Sequence, residues 1–189
     1  MACHVRGAMS NITRTTYQRI FAHSEHGKPC PYVQKIMNRV LVRTAQAADI
    51  PSLIELLRVL FSIEADFQFD HEKQQRGLEL LIENSDERCV FVAETEGEVV
   101  GMCSVQTLIS TAQGAPKGWI EDVCVDEKYR GRGVGKMLLQ AVDDWCLSRG
   151  IRGLQLLCDT ANAPAQKFYE HLGWQPTQLQ CLTRTIDEM

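Results

Sequence analysis

From residue 40 onwards, apolar positions recur along the chain with the spacings of alternating strands and helices. Residues 40–43 predict a short strand. Asp49 followed by Ile50-Pro51 predicts a helix start, because a proline in the first turn of a helix loses no hydrogen bond. Apolar residues three and four positions apart then give this helix one buried face, and a second helix is predicted over residues 73–83.

The central part of the chain predicts three strands. Residues 89–94 and 99–108 predict two of them, joined by a hairpin turn at Glu96-Gly97. A loop follows, and the β-branched and aromatic run 119–125 predicts the third strand. The loop is expected to cover residues 109–117.

The C-terminal part predicts two helices, each followed by a strand. An apolar stripe predicts a helix over residues 134–148 that ends at Gly150. A strand over 151–158, a helix over 164–172 and a final strand over 179–185 follow. Elements in this order predict a three-layer α/β sandwich around a mostly antiparallel sheet, with a parallel pair of strands in its middle.

The first 36 residues differ from the rest because they show no sustained periodicity. We expect residues 1–36 to be an extension, either flexible or not native to the protein, with Met37 as the alternative start. Three side chains in this stretch have spacings that metal ligands can have: His23, His26 and Cys30. Three ligands in such a segment make a poor metal site, so no metal is expected.

The composition narrows the class of function. The 189 residues carry 20 lysines and arginines against 24 aspartates and glutamates, and this net charge of −4 disfavours general binding to nucleic acid or to an anionic membrane. No apolar run approaches the roughly 18 residues that cross a bilayer. The eight cysteines include no Cys-x-x-Cys pair, so we expect reduced thiols in a cytoplasmic protein.

A glycine-rich segment between a predicted strand and the long helix is the strongest chemical signal in the chain. It reads Arg130, Gly131, Arg132, Gly133, Val134, Gly135 and Lys136. Glycines allow a tight turn and the close approach of a ligand, while the first amides of the helix and the basic side chains attract an anion. The segment therefore predicts a phosphate or pyrophosphate site.

Two better-known phosphate motifs do not fit this segment. A P-loop requires Ser or Thr after its Gly-Lys pair, whereas Met137 follows Lys136 here. A dinucleotide fingerprint that begins at Gly131 requires a glycine where Lys136 stands.

Three segments taken together resemble the GNAT superfamily of acetyl-CoA-dependent N-acetyltransferases. The pattern Arg130-x-x-Gly133-x-Gly135 after a strand is similar to that family's coenzyme A pyrophosphate loop. Residues 162–174, an Asn-led loop and a helix bearing Phe-Tyr, resemble a later segment of the family, and residues 42–50 resemble its first strand and helix start. The resemblance implies a GNAT-like three-layer α/β/α sandwich over residues 37–189, with a mixed central sheet of about six or seven strands.

The resemblance also implies a reaction, in which the acetyl group of acetyl-CoA moves to a primary amine by direct attack in a ternary complex. The implied cofactor-binding residues are the glycine-rich segment from Arg130 to Lys136, the backbone of Val123, Cys124 and Val125, and Asn162. A simple loop or capping role for Asn162 stays open, and Cys124 is expected to be a core thiol rather than a nucleophile.

Two side chains are candidates for proton transfer. Tyr169 would donate to the departing thiolate, because a phenol with a pKa near 10 can protonate a thiolate whose conjugate acid lies near 8.5; simple core packing is the alternative. Glu121 would take the proton of the amine, since in a regular strand it shares a face with Val123. Asp122 would point to the opposite face and is the lesser candidate.

The acceptor is predicted less sharply than the cofactor. Acidic residues on the expected acceptor side favour a cationic amine, although a solvated acidic surface would show the same pattern. These residues are Glu64, Asp66, Asp70, Glu72, Glu121 and Asp122. Another acyl-CoA or acceptor, and a non-catalytic acyl-CoA-binding module, are the alternatives. A monomer and a homodimer both stay open.

Overall fold

A computed structural model describes residues 40–64, 66–83 and 86–186. In chain order the elements are β1 (Leu41–Thr44), α1 (Ile50–Phe61), α2 (His71–Ile82), β2 (Arg88–Thr95), β3 (Glu98–Ser110), β4 (Ala115–Val125), α3 (Val134–Ser148), β5 (Gly153–Leu156) and α4 (Ala163–His171). A short 3₁₀ turn precedes α1 at Ala47–Asp49, and another follows β4 at Glu127–Tyr129.

The strands form one sheet in the order β1-β2-β3-β4-β5. The first four strands pair antiparallel, and β4 pairs parallel with β5. A parallel pair requires a crossover, and α3 provides it. The mixed sheet with one parallel pair confirms the predicted fold class, but among the described strands this pair lies at the edge of the sheet and not in its middle.

Apolar side chains cover both faces of the sheet, which makes the three layers. On β2, Val90 and Val92 pack with α1 and α2 on one face, whereas Phe91 and Ala93 pack with α3 on the other. This alternation follows from the period of two in a strand. The helices contribute the apolar stripes that the sequence predicts, for example Leu138 and Val142 of α3, both fully buried.

The turn and cap residues behave as predicted. Glu96 and Gly97 both have positive φ, 53° and 83°, as a tight hairpin turn between β2 and β3 requires. Gly150 has φ 74° at the end of α3, where its N–H and that of Ile151 bond back to the last turn. Gly173 closes α4 in the same way with φ 88°.

Three predictions about strands are wrong. The sheet has five strands among the described residues instead of six or seven, because residues 179–185 are described but form no strand. The predicted loop over 109–117 is much shorter, since β3 and β4 extend their hairpin pairing to Ser110↔Ala115. The strand predicted over 151–158 reduces to Gly153–Leu156, the part that pairs with β4.

The predicted N-terminal extension and its three candidate metal ligands lie outside the described residues, so the extension stays a prediction. Within the described part of the chain, no group of three or more His, Cys, Asp or Glu residues is arranged to hold a metal ion. None of the described helices is long and apolar enough to cross a membrane.

An ion-pair network connects β1 to the start of α1 and to β2. The guanidinium of Arg43 donates to both carboxylate oxygens of Asp49, at 2.7 and 2.9 Å, and to Glu94 at 2.8 Å. Asp49 is buried and also accepts the N–H of Gln46 at 2.7 Å. The hydrogen bonds from Arg43 lower the pKa of Asp49, so this carboxylate stabilises the fold above its unfolded pKa and less so as the pH falls.

We expect Arg43→Ala to lower the free energy of unfolding by about 1–3 kcal/mol at pH 7, because it leaves the buried Asp49 carboxylate without its main donor. Urea unfolding measures this difference, which should shrink towards pH 3. Arg76→Ala is the matched control, since Arg76 pairs only with exposed Glu72 at 3.8 Å and should matter by under about 0.5 kcal/mol. Equal losses in the two variants would contradict the prediction.

Candidate active site

The glycine-rich segment forms the turn into α3. Gly131 and Gly133 have φ of 69° and 82°, a region of backbone space that favours glycine. Gly133 is the N-cap of α3, and no side chain caps the helix there. The hydrogen bond of Met137 N–H to the carbonyl of Gly133 begins the helix, so the amides of residues 134–136 have no acceptor within it.

The third glycine of the segment has a packing role. A Cβ built on Gly135 would lie 3.1 Å from the ring of Phe168, so this position lets α3 and α4 approach closely. Of the three glycines, Gly131 and Gly133 serve the turn itself, as predicted for all three. Gly135 therefore has a packing role that was not predicted, and its part in binding a ligand stays a prediction.

The basic side chains of the segment differ in their surroundings. Arg130 donates through Nε to the carbonyl of Val125 at 2.9 Å, which fastens the turn to the end of β4. The guanidinium of Arg132 lies 5.5 Å from the centre of the Tyr129 ring. Lys136 is exposed on the first turn of α3. Together they keep positive charge around the start of this helix.

The strand before this turn separates from its neighbour. β4 pairs with β5 at four positions, the last being Ile120↔Leu156. Its C-terminal part, from Glu121 to Val125, pairs with β3 alone. One edge of β4 is therefore open beside the start of α3.

A β-bulge interrupts β4 just where the strands separate. On β3, Met102 and Ser104 are two residues apart, yet their partners on β4, Cys124 and Glu121, are three apart. The extra residue lies next to Asp122, which has a φ of 56°. The alternation of side chains between the two faces is therefore broken at this point.

The bulge overturns the predicted face of one candidate carboxylate, Glu121, whereas Asp122 lies opposite Val123 as expected. Val123 packs with Ile120 and the α3 side of the sheet. Glu121 accepts a hydrogen bond from Gln106 at 3.2 Å, and Asp122 accepts one from Ser104 at 3.4 Å. On β3 these two donors alternate with core residues that face α3. Both carboxylates therefore lie together on the face of the sheet opposite to Val123. The expectation that Glu121 shares the face of Val123 is wrong.

Only every second residue of β4 points its backbone N–H and C=O groups to the open edge. The N–H of Asp126 donates to the carbonyl of Val100 on β3. Because backbone groups alternate in direction along a strand, the backbone N–H and C=O of Cys124 also face β3. Those of Val123 and Val125 face the open edge. The side chain of Cys124 is buried and lies 3.3 Å from the carbonyl of Leu56, and burial raises the pKa of its thiol to about 11. Cys124 is thus a core thiol, as expected, and its backbone does not contribute to the edge.

Tyr169 lies on α4 in an aromatic cluster with Phe168 and Trp174. The ring centres are 5.2 Å from Phe168 and 6.0 Å from Trp174, both in tilted or edge arrangements. Burial raises the pKa of the Tyr169 hydroxyl above its ordinary value, and the nearby Cys158 adds to the rise. The phenol therefore keeps its proton at neutral pH.

Three acidic residues from separate elements act on one another electrostatically. Burial first, and then the charge of Asp159, raises the pKa of Glu64. Burial raises the pKa of Asp122 to about 6, with Glu121 and Glu64 adding to the rise. Two residues of the site were not predicted from the sequence: Asp159 follows β5 without any motif of its own, and Ser104 lies among apolar neighbours in β3.

Of the other predicted acidic residues, Asp66 adds through its charge to the rise that burial causes in the pKa of Glu64, whereas the remaining two serve α2. Asp70 caps this helix by accepting the N–H groups of Glu72 and Lys73 at 3.1 and 3.2 Å. Glu72 lies in the first turn of α2 and forms the exposed pair with Arg76. The six predicted acidic residues are therefore not one cluster.

A cavity of about 630 Å³ lies along β5, α4 and the segment that follows α4. Tyr169 and Trp174 line it, together with Leu179 and Cys181 of the segment in which a strand was predicted. The glycine-rich segment does not contribute to its lining. The cavity is thus separate from the predicted pyrophosphate site and shares only Tyr169 with the candidate catalytic residues.

Asn162 is the N-cap of α4. Its side-chain oxygen accepts the N–H of Ala165 at 3.1 Å, with Pro164 in the first turn. The capping alternative is therefore observed. A contact from the side-chain amide nitrogen of Asn162 to a cofactor stays a prediction.

Comparison with known proteins matches most of the described chain. The model of the Acetyltransferase (GNAT) family matches residues 50–174. Glucosamine 6-phosphate N-acetyltransferase of Arabidopsis thaliana is 33% identical over 93 residues, 49% of this chain and 60% of that protein. Aminoglycoside N(6')-acetyltransferase type 1 of Salmonella typhimurium is 27% identical over 97 residues, 50% of this chain and 67% of that protein. The aligned part thus spans about two thirds of the length of these curated relatives.

A solved structure agrees with the sequence comparison. The crystal structure of the glucosamine-6-phosphate N-acetyltransferase from Arabidopsis thaliana superposes with a TM-score of 0.62 at 27% identity. The superposition covers 78% of this chain and 99% of that one.

We expect Asn162→Ala to lower the free energy of unfolding by about 1 kcal/mol, because α4 loses its cap. Asn162→Asp keeps the capping oxygen and should be close to the unchanged protein in stability. Urea unfolding compares the three proteins, and equal stability of Asn162→Ala and the unchanged protein would contradict the capping role. Acetyl-CoA affinity, measured by titration calorimetry, should fall in Asn162→Asp only if the amide nitrogen contacts the cofactor.

Proposed function

The chain belongs to the Acetyltransferase (GNAT) family, and on that premise we propose that it transfers the acetyl group of acetyl-CoA to a primary amine in a ternary complex. The observation that carries the proposal is the open edge of β4 beside the uncapped start of α3. An extended anionic cofactor needs both features, a strand edge for its amide-rich arm and an anion site for its diphosphate.

The turn from Arg130 to Lys136 is the proposed diphosphate site. The amides of residues 134–136 lack helical acceptors and lie at the positive end of the α3 dipole. Arg132 and Lys136 add positive charge at this turn. Arg130 already donates through Nε to Val125, so its role is first to hold the turn against the strand.

The open edge of β4 is the proposed site of the pantetheine arm. Backbone groups of Val123 and Val125 face this edge, while Cys124 belongs to the pairing with β3. An extended arm with amide groups can pair there as an additional strand would. Because β5 stops pairing with β4 after Ile120, no protein strand competes for these groups among the described residues.

Tyr169 is the proposed donor to the leaving group. When the amine nitrogen attacks, a C–N bond forms, the thioester C–S bond breaks, and the electron pair goes to sulfur. The raised pKa of Tyr169 keeps its hydroxyl protonated, so it can donate a hydrogen bond to the thiolate as the C–S bond breaks. The acceptor nitrogen arrives as an ammonium and must lose a proton first, for which β4 offers Glu121 and Asp122.

The acidic groups favour a cationic acceptor. Glu64, Asp122 and Asp159 come from three separate segments. In addition to burial, the charge of Asp159 raises the pKa of Glu64, and the charge of Glu64 raises the pKa of Asp122, so a positive charge among them would be stabilised. One relative is named for aminoglycosides, which carry several amines, and another for glucosamine 6-phosphate, which carries a phosphate. The carboxylates support the first kind of acceptor over the second.

We expect Gly133→Val to weaken acetyl-CoA binding at least tenfold, because a β-branched residue is strained at positive φ and displaces the first amides of α3. Titration calorimetry well below the unfolding temperature measures the change. Gly114→Val is the matched control, since Gly114 has φ 61° in the open turn between β3 and β4. Equal affinities in the two variants would show that the anion site has been assigned to the wrong turn.

We expect the unchanged protein to release coenzyme A thiol from acetyl-CoA only when an amine is present, most rapidly with amines that carry two or more positive charges. Tyr169→Phe should lower kcat by about 10²-fold and leave the acetyl-CoA Kd within about threefold, because the hydroxyl acts on the leaving group. Tyr129→Phe removes the corresponding hydroxyl from another half-buried tyrosine and serves as the control. Cofactor binding without turnover on any amine, unaltered by Tyr169→Phe, would instead favour a binding module.

A further inference from the structure

Asp122 has an unusual backbone conformation at the bulge of β4. Among the described residues, only Glu96 and Asp122 are non-glycine residues with positive φ. Glu96 lies in a hairpin turn, where this conformation is required, whereas Asp122 lies inside β4 at its bulge. Strain of this kind persists only when its surroundings hold it, and it concentrates at functional sites. The bulge turns the Asp122 carboxyl group towards the side chain of Ser104.

The surroundings of Asp122 are acidic and partly shielded from water. The charged groups that act on it are Glu121 on its own strand and Glu64 after α1, both negative. On β3 and β4 the nearest titratable groups are the thiols of Cys103 and Cys124, whose pKa values burial raises, so they are neutral at pH 7. The described residues that act on Asp122 thus include no cation.

One hydroxyl supports this carboxyl group. Ser104 is fully buried on β3, and its Oγ lies 3.4 Å from Oδ2 of Asp122 and 3.2 Å from the carbonyl oxygen of Glu121. Its single hydrogen can serve either acceptor. Ser104 therefore orients the Asp122 carboxylate while leaving its remaining lone pairs available.

We infer that Asp122, presented by the bulge of β4 and oriented by Ser104, takes the proton from the acceptor ammonium. This inference rests on the proposed function and deepens it. The ammonium transfers one proton to the carboxylate, and the neutral amine attacks the thioester. The C–N bond forms, the C–S bond breaks, and the second proton of the nitrogen leaves with the thiolate as coenzyme A thiol, while the carboxylic acid later releases its proton to water. Ser104 is a positioning residue in this scheme, since it acts through Asp122.

Two observations favour Asp122 over Glu121. Glu121 is exposed and already accepts a hydrogen bond from Gln106, whereas Asp122 is half-buried with Ser104 as its side-chain donor. A base works best when its pKa lies near the working pH, and burial brings the pKa of Asp122 to about 6. A lone carboxylate in acidic surroundings also attracts the positive charge of the ammonium before it accepts the proton.

The test is the pH dependence of kcat at saturating acetyl-CoA and acceptor, followed by thiol release. The base must be ionised, so kcat should fall as the pH drops through about 6. Asp122→Asn should lower kcat by about 10²-fold at pH 7.5 and remove this acidic limb. Asp143→Asn is the matched control, because burial also raises the pKa of Asp143 but this residue lies on α3 beyond the helix start. The kcat of this variant and the acidic limb of its pH profile should be unchanged.

Two further readouts separate chemistry from structure. With a less basic amine that is already neutral at pH 7.5, the defect of Asp122→Asn should shrink at least tenfold, whereas a structural defect would be the same for both amines. Ser104→Ala should keep most of kcat but move the acidic limb to higher pH by about 0.5–1 unit, because the hydrogen bond favours the ionised form.

The variants should fold. Asparagine adopts positive φ about as readily as aspartate, and loss of a charge that burial disfavours should keep the melting temperature of Asp122→Asn at pH 8 equal or higher. If Glu121→Gln rather than Asp122→Asn removes the acidic limb, or if the defect is equal for both amines, the inference is overturned and the proposed function stands. If the unchanged protein acetylates no amine, the proposed function itself fails.

Discussion

The separation of β4 from β5 is the constraint on which the site depends. The two parallel strands share four paired positions, after which β4 continues for five residues paired only with β3, with its other edge open. A strand edge exposes backbone groups that need partners, and proteins normally cover such edges. Here the same strand leads directly into an uncapped helix start, so an open edge and an anion site lie in sequence along one stretch of chain. The proposed cofactor satisfies both with a single extended molecule.

Much of the fold could be predicted because local signals agree with the tertiary structure. The long helix begins at Val134 and ends at Ser148 as its apolar stripe predicts, and the hairpin at Glu96-Gly97 has the positive φ values that its tight turn requires. The terminal strand was wrong because strands need a partner edge. Residues 179–185 have a strand-like pattern, but Leu179 and Leu182 remain more than four-fifths exposed, and nothing in that pattern encodes the absence of pairing.

The sequence predicts the turn at the start of α3 but not the geometry of the strand before it. The turn around Gly133 and the position of Tyr169 follow from motifs, since glycine and aromatic residues leave a clear trace in a sequence. A bulge leaves none, because the inserted residue has an ordinary side chain. One extra residue in β4 reverses the face predicted for Glu121 relative to Val123, while Asp122 lies opposite Val123 as predicted. Ser104 was missed for a related reason, as its importance comes only from the strand opposite.

The distribution of charge gives the two proposed substrates separate places. The chain is acidic overall, yet its positive groups at Arg132 and Lys136 lie around the start of α3, while Glu64, Asp122 and Asp159 lie near the end of the paired part of β4. A diphosphate is attracted to the first group and repelled by the second, and an ammonium experiences the reverse. The charges that attract one substrate therefore repel the other. The thioester and the amine then meet only where the two regions join, at the bulge of β4.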